Sequence, residues 1–304
     1  MTQINASLVK ALRDKTGAGV IACKHALEQT HGDFEAAVDC LRAAELLKAA
    51  QRADRVAAEG LVGVVVEGTM GAIAELNTET DFVARTGAFQ HAAAAIARIA
   101  LHARGDLDRV LGAPAPEGDG CVADLIARLT ARTGERITLR RCACVSVGEG
   151  LVEPYVHNVA APGLGRIGVL VALESPADPN GLHDVAHKIA MHVAASSPLW
   201  VSQEDVPADV VAGRRAELTE QARQSGKPPV IVEKMVEGRM RKFYEEVVLG
   251  LQPFVLNPDQ RVDQALEESA HAARAPIAIR AFVRFQTGEG IDKKPEAAGA
   301  NHAR

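Results

Sequence analysis

The stretch Gly60 to Ala84, GLVGVVVEGTMGAIAELNTETDFVA, decides how the rest of the chain is read. Leu61 to Glu67 and Gly71 to Asn77 alternate as two strands around Gly68-Thr69-Met70-Gly71, the pattern of a β-hairpin. The second strand runs into four polar residues and then Phe82-Val83-Ala84, after which an alanine-rich helix extends from Thr86 to about Ala103. Val122 to Thr133 reads as another helix and Ile137 to Val147 as a strand, with a poorly patterned loop containing Pro114 and Pro116 between the helices. The unit therefore runs strand, strand, helix, helix, strand.

The same unit recurs further along. Gly60-Leu61-Val62 returns as Gly150-Leu151-Val152, and Arg98-Ile99-Ala100-Leu101-His102 returns as Lys188-Ile189-Ala190-Met191-His192. The strand Gly71 to Asn77 has its counterpart in GRIGVLVALE, Gly165 to Glu174. Two related α+β subdomains side by side follow, one over residues 60–149 and one over residues 150–206 and 250–286. The second is interrupted at residues 207–249 by two polar amphipathic helices joined at Ser225-Gly226-Lys227-Pro228-Pro229, the pattern of a protruding antiparallel helical hairpin. Ahead of the repeats, residues 1–46 read as three short helices, the first capped at Asn5 or Ser7, the second stopped by His31-Gly32, the third capped by Asp33. One core of that size supplies only a few kcal/mol, so the module reads as an adaptor that docks on something. Residues 47–59 read as a basic helical linker and residues 287–304 as a C-terminal module with a frayed end.

Composition bounds the function. Lys and Arg total 34 against 39 Asp and Glu, a net charge of −5 that argues against a general nucleic-acid binder. Ala92 to Ala103 is broken by Arg98 and His102, and no apolar stretch reaches the roughly 18 residues of a membrane span. Cys23, Cys40, Cys121, Cys142 and Cys144 are odd in number with no signal peptide, which points to reduced thiols in a cytoplasm. Only seven Phe, two Tyr and one Trp are present, so a Phe in a polar setting needs a reason.

Enzyme chemistry finds little support. Gly163-Leu164-Gly165-Arg166-Ile167-Gly168 fits G-x-G-x-x-G, but a strand follows it where a dinucleotide site needs a helix, so it reads as a hairpin turn. No P-loop motif occurs, and the His183, His187 and His192 cluster lacks the H-E-x-x-H glutamate, which favours structural or surface histidines. No cofactor or metal is expected. Phe82 carries two readings. In one, Asp81 caps the following helix and the ring packs inward; in the other, the ring protrudes as an anchor for a partner's pocket. Residue types alone favour the first.

The chain resembles the bacterial elongation factor Ts family. The resemblance rests on SLVKALRDKTGAGVIACKHAL (Ser7 to Leu27), HGDFEAAV (His31 to Val38), VAAEG (Val56 to Gly60), ELNTETDFVA (Glu75 to Ala84), RIGVLVAL (Arg166 to Leu173), HKIAMHVAASSP (His187 to Pro198), EKMVEGRMRKF (Glu233 to Phe243), QPFV (Gln252 to Val255) and VRFQTGEGI (Val283 to Ile291). It implies an α+β fold with a UBA-like three-helix module, a duplicated core and an inserted coiled-coil hairpin. It implies guanine-nucleotide exchange on elongation factor Tu, without covalent chemistry and without a cofactor. Thr80, Asp81, Phe82 and Val83 would form the exchange loop that dislodges magnesium. Arg13, Val20, Ile21 and Lys24 would grip the partner's GTPase domain, with Arg52 and His157 as further contacts. Val20-Ile21 stands where the family often has two methionines. The competing class is an adaptor or oligomerisation protein with Phe82 buried, and a homodimer through the hairpin stays open in either case.

Overall fold

A computed structural model describes residues 4–116 and 120–292; the expected frayed end, residues 293–304, lies outside them. Helix α1 (Ala6–Thr16) starts where Asn5 Oδ1 accepts the Leu8 N–H at 2.8 Å and stops at Gly17, whose φ of 72° a residue with a Cβ adopts only under strain. Helices α2 (Val20–Gln29) and α3 (Phe34–Ala50) complete a bundle around Leu12, Cys23, Leu27, Ala37 and Leu41. Asp33 caps α3 through the Ala36 N–H, as its sequence position suggests.

The core is built from two matching halves. In the first, β1 (Glu59–Glu67) and β2 (Met70–Thr78) form the expected hairpin, and Gly68 at φ +59° allows the two-residue turn. Then come α4 (Asp81–Ala84), α5 (Gly87–His102), α6 (Leu107–Gly112), α7 (Val122–Thr133) and β3 (Thr138–Ser146), which pairs with β2. In the second half, β4 (Gly150–Ala161) and β5 (Leu164–Glu174) form a hairpin whose turn contains Gly163 of the G-x-G-x-x-G stretch. It continues through α8 (Pro179–Ser196), α9 (Ala208–Arg223), α10 (Pro229–Val247), a 3-10 turn at Leu249–Leu251, the short pair β6 (Pro253–Phe254) and β7 (Asn257–Arg261), α11 (Val262–Ala273) and β8 (Ala278–Gln286). In each half the second strand is central, with β3-β2-β1 in one and β4-β5-β8 in the other. Pairing of Val62 with Gly165 and Gly63 with Leu164 joins β1, an edge strand of the first half, to the start of β5.

Strand alternation sorts the side chains into layers. Leu61, Ala72, Ala74 and Leu76 face α5, meeting Phe89, Ala93, Ile96 and Ala97. Val169, Val171 and Leu173 face α8, meeting Leu182, Ile189 and Val193. The opposite faces, with Val62, Val64, Ile73, Val152, Leu170 and Phe285, pack sheet on sheet. Gly71 and Gly168 permit that approach: a Cβ at Gly71 would lie 2.8 Å from Val152 Cγ1, and one at Gly168 would lie 2.6 Å from Val62 Cγ1. Alanine in α5 does the same on the outer face, where a Cβ on Gly63 would meet Ala97 Cβ at 3.0 Å. Close contact of small residues is how a core with few aromatics fills its interior.

Helices α9 and α10 run back to back and bury Leu218, Ala222, Val232, Val236 and Met240 between them. Two elements differ from their sequence expectation. The region read as unpatterned contains α6, capped by Asp106 through the Arg109 N–H. The helical linker expected over residues 47–59 is replaced: α3 continues to Ala50, turns occupy residues 51–55, and residues 56–58 carry no regular structure. Helical propensity yields there to tertiary bonds, because Arg52 Nε and Arg55 Nη1 both donate to the Gly134 carbonyl, at 2.9 and 3.4 Å.

The five cysteines are free thiols. Cys142 donates to the Gly105 carbonyl at 3.2 Å, and burial pushes both the Cys142 and Cys144 thiols above the ordinary range. Among the described residues, no group of three or more His, Cys, Asp or Glu is arranged to hold a metal ion. No helix there is long and apolar enough to cross a membrane.

The histidines have structural partners. His183 Nδ1 and His187 Nδ1 lie 2.8 and 3.0 Å from the two oxygens of Glu153 on β4. His192 is fully buried. Its Nδ1 accepts the Val255 N–H at 3.1 Å, so Nε2 carries the proton and donates to Gln252 Oε1 at 2.8 Å. Burial lowers its pKa from the ordinary 6.5. The unfolded chain therefore takes up the proton first as pH falls, and the stability His192 contributes above pH 6.5 is lost below it. Thermal midpoints from pH 7.5 to 5.5 are expected to fall more steeply for the wild type than for His192→Asn. The slope is the readout, because the variant loses hydrogen bonds at every pH.

Candidate functional site

Two surfaces stand out on this frame, and the first is the turn after β2. Thr78 is buried and Thr80 half-buried, and both are held by one carboxylate two residues beyond α7. Glu135 accepts the Thr78 hydroxyl at 2.8 Å, the Thr80 hydroxyl at 2.6 Å and the Thr80 N–H at 3.0 Å. Glu79 Oε1 accepts the Arg136 N–H at 2.6 Å in return. Thr80 occupies the N-cap position of α4, so Asp81 lies inside that helix, with its Oδ2 2.7 Å from Arg85 Nη2. The cap of α5 is instead Thr86, which accepts the Phe89 N–H at 3.4 Å and donates to the Val83 carbonyl at 2.8 Å. The expectation that Asp81 caps the long helix is thereby corrected.

Val83 packs on the first core and Ala84 is buried beneath it. A one-turn helix anchored on that side has to send Phe82 the other way. The ring is 78% exposed, the most exposed of the large apolar side chains described. Fully burying such a ring is worth roughly 1.5–3 kcal/mol, so its exposure leaves that free energy available to an interface. The inward-packing reading of Phe82 fails because the sites beneath the turn are already filled by Val83, Ala84 and Phe89.

The second surface lies on the helical bundle. A groove of about 400 Å³ runs between α1 and the start of α2, lined by Ile4, Val9, Arg13, Val20 and Lys24 among others. Ile21 stands beside it, 75% exposed, and Val20 is 52% exposed. Three residues singled out in the sequence thus line one groove, apolar Val20 with cationic Arg13 and Lys24, while Ile21 is exposed next to Val20 in the chain. The spacing follows from a bundle core that takes Leu12, Cys23 and Leu27 and leaves the flanking positions outward.

The remaining two predicted contacts are placed elsewhere. Arg52 lies in the linker turn, its Nε on the Gly134 carbonyl and its Nη1 on the Lys48 carbonyl at 3.0 Å. His157 is exposed within β4, opposite Ile167, with Nδ1 3.2 Å from the Tyr155 hydroxyl. Residues 150–174 form one long hairpin, so the stretch around His157 extends the strands. Sequence reasoning missed Glu135. Its only local signal is Thr133-Gly134-Glu135 at the end of a helix, which does not reveal partners 55 and 57 residues away.

An exposed aromatic on a fixed turn and an apolar groove with a cationic rim have the composition of protein-docking surfaces. The family model described as Elongation factor TS matches residues 79–289. The Elongation factor Ts of Maricaulis maris is 52% identical, covering 97% of this chain and 96% of its own length. Those of Parvibaculum lavamentivorans and Rhodospirillum rubrum are 49% and 48% identical with the same coverage. The chain belongs to the elongation factor Ts family.

Proposed function

We propose that this chain is a cytoplasmic guanine-nucleotide exchange factor for elongation factor Tu, docking by the groove on its helical bundle and opening the nucleotide site with Phe82. Family membership supports the role and the partner; the exposed ring on its clamped turn is the observation that carries the mechanism. Arg13, Val20, Ile21 and Lys24 hold the partner's GTPase domain, the bundle acting as a UBA-like module. Phe82 enters a pocket between partner helices, with Thr80, Asp81 and Val83 shaping the approach, and His157 touches the partner at a separate point.

The energetics are those of linkage. A factor that binds the nucleotide-free partner better than the GDP-bound partner weakens GDP by the same coupling free energy. Displacing magnesium removes the largest positive charge neutralising the nucleotide phosphates, which speeds GDP departure. No bond is made or broken. The coiled-coil hairpin α9–α10 is open as a surface for a homodimer.

Stopped-flow release of a fluorescent GDP analogue from elongation factor Tu tests this directly. Micromolar wild-type protein is expected to accelerate release, and no acceleration at any concentration would sink the reading. Ile21→Asp places a charge on the exposed apolar residue that follows Val20 of the groove. It is expected to raise the half-saturating concentration about tenfold or more, as truncation or disruption at an anchor residue does, with the maximal rate within about twofold.

A further inference from the structure

We propose that the Gly134–Arg136 turn is a relay that sets how Phe82 is presented and connects that presentation to the linker of the helical module, with Glu135 as its positioning residue. The inference rests on the exchange reading and adds to it a group that does not touch the partner.

Helix α4 has four residues and no side-chain cap bond of its own. A single turn is unstable in isolation because one hydrogen bond does not compensate the dihedrals it fixes. The direction of Phe82 is therefore imposed from outside the turn, by the core under Val83 and Ala84 and by the bonds on Thr80, two residues before it. Three hydrogen bonds to the Glu135 carboxylate, at 2.6 to 3.0 Å, all come from Thr78 or Thr80. Glu79 returns the grip through the Arg136 N–H. The two segments hold each other by reciprocal carboxylates, which fixes both position and tilt.

The other side of the same turn is held by the linker. Arg52 Nε and Arg55 Nη1 donate to the Gly134 carbonyl, and Arg136 Nη1 donates to the Arg55 carbonyl. Arg55 Nη1 also lies 3.3 Å from Glu79 Oε1, so one guanidinium touches both the turn and the exchange segment. Helix α3, which leads into this linker, packs on α7, with Arg42 Nη2 3.2 Å from Asp124 Oδ2. Burial alone would raise the Asp124 pKa, but bonds from the Cys121 N–H and thiol, together with Arg42, hold it below the usual range. A shift of the bundle on the core is thus transmitted to Gly134, and from Glu135 to Thr80. Docking and ring insertion are then coupled steps.

Glu135→Gln keeps the side chain's size and replaces one acceptor oxygen by a donor, facing donors. The full-length variant is expected to lower the maximal rate of GDP-analogue release from elongation factor Tu about tenfold, the loss expected for hydrogen bonds to a charged group. The half-saturating concentration should stay within about twofold, because the groove is untouched. Hydrogen exchange of the free variant should show faster amides over residues 80–84, with those of β2 unchanged. Arg52→Ala should lower the maximal rate in the same direction. A wild-type protein that accelerates release beside a Glu135→Gln variant of equal maximal rate would overturn the relay and leave the exchange function standing. Loss of protection throughout the core would reduce Glu135 to a structural residue, and a change confined to half-saturation in Arg52→Ala would make Arg52 a direct partner contact. If the wild type itself is inactive, the exchange reading fails, and the amide pattern still decides whether Glu135 orients the turn.

Discussion

Phe82→Ala is expected to lower the maximal rate of GDP release from elongation factor Tu by about 30-fold or more while leaving the free protein's stability unchanged. The magnitude follows from the cost of truncating an aromatic anchor, about 2 kcal/mol or more, at 1.36 kcal/mol per tenfold in rate. The unchanged stability follows from the ring's exposure: substitutions at such surface positions stay within about 0.5 kcal/mol. The two halves of the prediction separate the readings of this residue. A buried, structural Phe82 would lower the thermal midpoint by several degrees, and an anchor would not. The measurement is stopped-flow release at several magnesium concentrations. If Phe82 works by opening the metal site, excess magnesium should suppress the wild-type rate and leave the variant's residual rate nearly unchanged. A variant as fast as the wild type at every magnesium concentration would move the exchange element elsewhere.

The second large effect is expected at Glu75, whose role is structural. Glu75 is wholly buried on the inner face of β2. Its oxygens accept from Arg141 Nε at 2.6 Å, the Gly288 N–H at 2.8 Å, Asn77 Nδ2 at 3.1 Å and Arg140 Nη1 at 3.2 Å. Arg141 also stacks on the Phe285 ring at 4.2 Å, and Arg284 reaches Glu289 at 2.8 Å. The segment after β8 is thereby fastened to the first half of the core. Removing one member of a buried ion pair costs about 3–5 kcal/mol because the remaining charges lose their partner. Arg140 and Arg141 are 27% and 30% exposed and regain some water, which places Glu75→Ala near the lower end. A loss of about 3 kcal/mol should lower the thermal midpoint by roughly 6–10 °C. Hydrogen exchange should show the Gly288 amide losing protection first. A midpoint within a degree of the wild type would show that the clasp contributes little net free energy.

Much of this protein was legible in its residues. Strand alternation and Gly68 located the first hairpin, and the 90-residue recurrence of Gly-Leu-Val exposed the duplication. Pro228-Pro229 and Gly226 marked the turn between α9 and α10. These are local properties, with a period of 2 or 3.6 residues or a single special φ, and a sequence carries them directly. Arg13, Val20, Ile21 and Lys24 came from the family resemblance alone, because helical periodicity says which positions face outward and not which of them a partner meets.

What only the tertiary structure decided is where groups distant in sequence meet. Residue types favoured an inward-packing Phe82. Glu135, across 55 residues, together with the filled core beneath Val83 and Ala84, turns the ring outward. The resemblance made Arg52 a further partner contact, and its bond to a carbonyl 82 residues away ties it to the frame. Glu75 is one polar residue within the strand expected over Gly71 to Asn77, and its amide partner lies 213 residues downstream. Hydrogen-bond and ion-pair partners are chosen by packing once the two sheets close on each other. A linear pattern records which groups need partners, and the closed core selects them.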